Sequence, residues 1–260
     1  MTVLEGVVLL VAAVGAGAVN AVAGGGSFLT LPALILFNVP PVTANATSAV
    51  ASWPGLASGA WGYRHRLRPY WRLVLVLSAV ALLGGVAGGW LVLQTPAEAF
   101  ATAIPFLMLF ASLLFIAAPH LPRRGEAEWL PRGMPSLLDW RLGGQFAVGV
   151  LAGYFSAGGG VLSMAALSAF GMRDVQIINA LKLLLGVLMT GASVVAFALA
   201  GQVAWPHAVL MTAGTLAGGH LGAMLAQRLP AKALRAAIAV FSLTMTAYFF
   251  ARFGWVRLDW

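Results

Sequence analysis

The sequence predicts an all-α polytopic membrane protein built from two inverted-topology repeats of about five helical segments each, with broken or re-entrant helices at glycine-rich motifs. Three observations carry this expectation. Of the 260 residues, 61% are hydrophobic and only 8% charged, too little charge to cover the surface of a water-soluble domain of this size. The chain matches itself without gaps at an offset of 134 positions. Finally, its basic residues change sides between matched loops.

The offset aligns Gly24-Gly25-Gly26 with Gly158-Gly159-Gly160, Asn45-Ala46 with Asn179-Ala180, and Trp71 with Trp205. It also aligns Gly84-Gly85 with Gly218-Gly219 and Pro96-Ala97 with Pro230-Ala231. Chance matches of Gly and Ala are common, but Trp, Pro and Asn at one constant offset mark a duplication. Apolar segments fall at about 3–23, 26–37, 42–63, 72–94 and 97–118, and again at 142–157, 160–170, 175–200, 206–227 and 232–252. The organisation that follows is a first membrane repeat at 1–118, a connector at 119–141 and a second repeat at 142–260. Most segments approach the ~20 residues that a spanning helix needs. The second of each half has only about a dozen, so it is a half-helix, a re-entrant arm or a strongly tilted crossing. The first run lacks the basic n-region of a secretory signal, and its match at 142–157 places it in the fold.

Charge sets the expected topology. Arg64, Arg66, Arg68 and Arg72 lie in a loop whose match at 198–206 has no Lys or Arg. Conversely, 94–101 has none, whereas its match holds Arg228, Lys232 and Arg235. Oppositely inserted halves under the positive-inside rule produce this switch, and they place the connector in the cytoplasm and both termini outside. The net charge of +8 is thus a topology signal, and nucleic acid is not an expected partner. The lipid bilayer is. The absence of Cys excludes disulfides and thiolate chemistry, no metal site is expected, and no cofactor is called for.

The candidate substrate site lies at the glycine triplets. Three glycines between apolar helices favour a break, and unpaired backbone at membrane depth is tolerated only inside protein or beside a cavity. Helices restarting at Ser27 and Val161 would present N–H groups and positive dipole ends to an anion. The candidate residues are Asn20, Gly24, Gly25, Gly26 and Ser27 with Asn45, Thr47 and Ser48 in the first half. In the second they are Ser156, Gly158, Gly159, Gly160, Ser163, Asn179 and Lys182. Thr30 joins the first group. Any one of these hydroxyls and amides alone reads more simply as an interhelical hydrogen bond. Lys182 is the one charged residue that does not lie in or beside a break between apolar runs, and it stands where the first half has Ser48. It reads equally as an anion ligand or as an anchor snorkelling past Arg173-Asp174. His220 is the candidate for proton coupling, against the plainer reading of a buried, hydrogen-bonded imidazole.

Gly24-Gly25-Gly26-Ser27, then Pro32, then Pro41-x-x-Ala44-Asn45-Ala46-Thr47, with a weaker echo at Gly158-Gly159-Gly160 and Asn179-Ala180, resembles the TauE/SafE sulfite exporter family. The resemblance spans nearly the whole chain apart from the connector. It implies a carrier of the bacterial inner membrane, expected to export sulfite, a sulfonate or a related organosulfur anion, with proton movement as its coupling; the broken-helix inverted repeats point to alternating access. It maps the family's glycine-rich break onto Gly24–Ser27 and Gly158–Gly160. The second half departs from the pattern, with Leu181 in place of Thr47 followed by Lys182. Two other classes compete with a carrier: a passive anion channel, and a membrane-embedded hydrolase using Ser193 with His207 or His220.

Overall fold

A computed structural model describes residues 2–22, 25–117, 139–225 and 231–254. Gly24 and nearly all of the connector lie outside the described residues.

Bilayer forces the backbone to satisfy its own hydrogen bonds, and the described residues form ten α-helices and no strand. They are α1 (Val3–Val22), α2 (Ser27–Leu36), α3 (Pro41–Leu67), α4 (Trp71–Gln94) and α5 (Ala97–Ala117), then α6 (Trp140–Tyr154), α7 (Gly159–Ala169), α8 (Val175–Leu199), α9 (Trp205–Leu225) and α10 (Ala231–Phe249). A 3-10 turn at Arg68–Tyr70 joins α3 to α4. Each helix falls on an expected apolar segment. α3 runs through Pro54 and carries Arg64, His65 and Arg66 on its last turn, so part of the expected Arg-rich loop is helical. Among the described residues four segments are long and apolar enough to cross a membrane: Val3–Asn20, Pro41–Gln94 (α3 and α4 together), Ala97–Ala117 and Val175–Leu199. α2 and α7 are short, with 10 and 11 residues, as expected.

α3 and α8 form a central antiparallel pair. Leu56 meets Gly186, Gly59 meets Leu183, and the Trp53 indole Nε1 donates to the Val187 carbonyl at 2.9 Å. α9 covers α3 and α4 covers α8. The outer pairs are parallel: α1 on α9 and α6 on α4. Glycine makes both possible. A Cβ at Gly218 would strike the Val14 carbonyl, and one at Gly88 would strike that of Val150. With no hydrophobic drive between helices in lipid, this backbone approach supplies dispersion contact. Helices of each half therefore pack chiefly on helices of the other.

A β-branched side chain at either glycine should separate its pair. We expect Gly218→Val and Gly88→Val each to lower stability by about 1–3 kcal/mol, read from thermal unfolding in detergent. Gly62, which has open space around it, should accept Ala without loss.

Candidate functional site

Two helix faces and two chain breaks converge at the centre. On α3 the polar and small residues Ser48, Ser52, Gly55 and Gly59 recur every three or four positions, one stripe of a helix. On α8 the corresponding stripe is Asn179, Lys182, Gly186 and Thr190. The antiparallel crossing sets the stripes facing each other. Gly25 and Gly158 adopt φ of +94° and +91°, which only glycine takes readily, and there the chain turns into α2 and α7. α7 restarts at Gly159, two residues before the expected Val161, while α2 restarts at Ser27 as expected.

A small cavity of about 40 Å³ lies between the breaks, lined by Asn20, Gly25 and Ser27 from one side and Ser156, Gly158, Gly159 and Gly160 from the other. Ser52, Thr190 and Lys182 complete it. It adjoins a larger cavity of about 390 Å³, with which it shares Asn20, Ser52 and Lys182. Asn179, Tyr63 and His220 line this outer part, which extends towards the Arg-rich end of α3. An apolar pocket of about 10 Å³ sits on the far side of Gly158 and Gly159 against α5; no polar side chain lines it, and it has no part in the site.

Lys182 dominates the electrostatics. It is 4% exposed, faces both cavities, and makes no hydrogen bond or ion pair among the described residues. Its side chain is buried against the two cavities. Among the described residues no Asp or Glu lines either cavity. A desolvated cation without a countercharge is costly, and an anion placed beside it removes that cost. The hydroxyls of Ser27 and Ser52 add donors at the same place, and α2 and α7 begin on its wall.

Other sequence candidates brace this cavity from its closed end. Asn45 Nδ2 donates to the Tyr154 carbonyl at 3.0 Å, and its Oδ1 accepts from the Ser156 N–H at 2.9 Å. This holds Phe155 and Ser156 extended and ends α6 at Tyr154, short of the expected 157. Ser48 shares a 2.7 Å hydrogen bond with Thr30 and accepts from the Ser156 hydroxyl at 3.5 Å. Thr47 accepts from the Ala204 N–H at 3.0 Å. Gly26 packs against the Ala16 carbonyl, and Ser163 is fully buried off the cavity, its hydroxyl unpartnered among the described residues. His220 faces the outer cavity as an exposed side chain, against the plainer expectation of a buried one. Sequence reading missed Ser52, Thr190 and Tyr63, although the spacing of Ser52 from Ser48 and of Thr190 from Lys182 was the available signal. The serine of the competing hydrolase is occupied: Ser193 Oγ donates to the Gly85 and Met189 carbonyls, and His207 pairs with Glu5 at 2.8 Å.

The chain is similar to membrane transporters along most of its length. The family described as "Sulfite exporter TauE/SafE" matches residues 9–249. A "Probable membrane transporter protein" of Haemophilus influenzae is 28% identical over 242 residues, covering 91% of each chain. The "Probable membrane transporter protein YfcA" of Escherichia coli K12 is 29% identical over 259 residues, covering 94% of this chain and 88% of its own.

An unpaired buried ammonium should be a net burden on the empty protein. We expect Lys182→Met to raise its stability by about 1–3 kcal/mol, measured by thermal unfolding in detergent. A fall instead would mark Lys182 as structural.

Proposed function

The chain belongs to the TauE/SafE sulfite exporter family and is a multi-pass membrane transporter, and from that premise we propose that it exports a small sulfur oxyanion or sulfonate across the bacterial inner membrane by alternating access. The observation that carries the substrate class is Lys182: one buried, unpartnered cation between two glycine breaks, with serine hydroxyls around it. An oxyanion losing its hydration shell there regains a countercharge and several donors.

Alternating access rests on inverted repeats. Their support is the antiparallel α3/α8 crossing, at which Trp53 bonds to Val187, the residue 134 positions on. The exchange of partners, α1 on α9 and α6 on α4, fits the same pseudo-two-fold relation. With the Arg-rich end cytoplasmic and both termini external, the described state is open inward. The fully buried Thr30, Asn45 and Ser48 at the other end support a carrier over a pore. Protons, where they are coupled, would act through His220 on the outer cavity wall or travel on the substrate itself.

Purified protein in proteoliposomes should move labelled sulfite or a C2 sulfonate with saturation and counter-transport. Lys182→Ala should slow that flux roughly tenfold or more, a loss of about 1.4 kcal/mol. Absence of flux and of calorimetric binding across a panel of such anions would sink the proposal.

A further inference from the structure

The 134-residue offset pairs Asn45 with Asn179, and the backbone partners of Asn45 with the backbone of Asn20 and Val22. The two copies of this arrangement are in different states. Asn45 is fully buried, and both ends of its amide grip Tyr154 and Ser156. Asn179 is half-buried, lines the open cavity, and makes no hydrogen bond among the described residues. Asn20, whose backbone is the match of Tyr154, lines that same cavity.

The helix ends differ in step with the asparagines. Where Asn45 grips, α6 stops at Tyr154, and the extended Phe155 leaves the Ser156 N–H free for the amide. Where Asn179 does not, α1 stays helical through Val22, two residues past the position matching Tyr154. α2 likewise starts at Ser27, whereas the match of α7's first residue is Gly25. Among the described residues the positive φ is at Gly158 in one copy and at Gly25, the match of Gly159, in the other; Gly24, the match of Gly158, lies outside them. One sequence pattern thus takes two backbone registers, gripped at the closed end and released at the open end.

From this we infer that Asn45 and Asn179 are the alternating latches of the two ends of the pathway. Closing the Arg-rich end shortens α1 to the register of α6, and Asn179 then takes the Asn20 carbonyl and the Val22 N–H. Opening the other end releases Asn45 and lets α6 extend. Each state keeps one asparagine engaged and loses one, so the hydrogen-bond count is conserved and the states can be close in energy. The inference rests on the alternating-access reading above, but its test needs no substrate.

The chain has no cysteine, so Ser52→Cys places a single thiol between the two ends, in both cavities. A membrane-impermeant thiosulfonate is applied to right-side-out and to inside-out vesicles. Labelling of S52C should come mainly from the Arg-rich side. Adding Asn45→Ala should raise labelling from the opposite side by about fivefold or more. Adding Asn179→Ala, at a position with no hydrogen bond to lose, should instead reduce opposite-side labelling below that of S52C alone. Opposite signs from matched substitutions are what a packing defect does not produce. Changes of the same sign, or no effect of Asn179→Ala, overturn the latch. Equal labelling of S52C from both sides overturns it together with alternating access, whereas a latch that behaves as stated while no sulfur anion is moved leaves it standing and removes only the substrate assignment.

Discussion

Every backbone N–H and C=O inside a bilayer must find its partner within the protein, and this structure is organised around the two places where a helix cannot supply one. At each glycine triplet the chain stops being helical. The unpaired groups this creates cannot face lipid, so the breaks must be turned inward against α3 and α8. At the second break that requirement is met by a side chain, since the Asn45 amide offers both a donor and an acceptor to the backbone around Phe155. At the first break α1 runs on to Val22, and the Gly26 N–H beyond it donates to the Asn20 side-chain oxygen at 3.4 Å. The inward turn places glycine, serine and helix N-termini around a common space, and the α3/α8 pair walls it.

Charge then decides what that space can hold. Ser48 and Lys182 stand at matched positions, yet they do opposite things. The hydroxyl of Ser48 is consumed by Thr30 and Ser156, so its position is mechanical. The ammonium of Lys182 is left to the cavity, with no acidic side chain in the lining. Several neutral donors could bind an anion weakly, each contributing of order 1 kcal/mol. A desolvated cation contributes more and fixes the sign of the ligand. The site is therefore asymmetric in charge while the frame that holds it is nearly symmetric.

Most of the frame was legible in the sequence because it obeys periodicity and length. The ten helices fall on the ten apolar segments, and the two short ones stand out by length alone. The glycine pairs in α4 and α9 are readable as packing faces, since in lipid only close backbone approach joins helices. What the sequence left open was which polar residues face the cavity and which brace it. Asn45 and Asn179 are the same residue in the same local pattern, as are the two glycine triplets. Their different roles depend on where α1 and α6 end, a choice made by tertiary contact rather than by local preference. Ser52 and Thr190 escaped notice for a related reason: hydroxyls on apolar helices are common, and only the crossing of α3 over α8 shows that these two face inward.

The same difference also explains why the duplication is imperfect in one place and conserved in another. A carrier with two identical half-sites would bind its ligand on the axis with equal contacts to both halves, and nothing would tie charge recognition to one of them. Placing the single cation on α8 ties recognition to the helix that also carries Asn179, one turn away on the same face. In the proposed carrier, an anion drawn to Lys182 arrives beside the asparagine left unengaged at the open end. Neutralising the ammonium lowers the cost of drawing α8 and α1 together over the cavity, because a buried pair of opposite charges is tolerated where a lone charge is not. On the carrier and latch readings proposed above, the asparagines are repeated because both ends must close, and the lysine is not, because one charge suffices to sense that the cavity is filled.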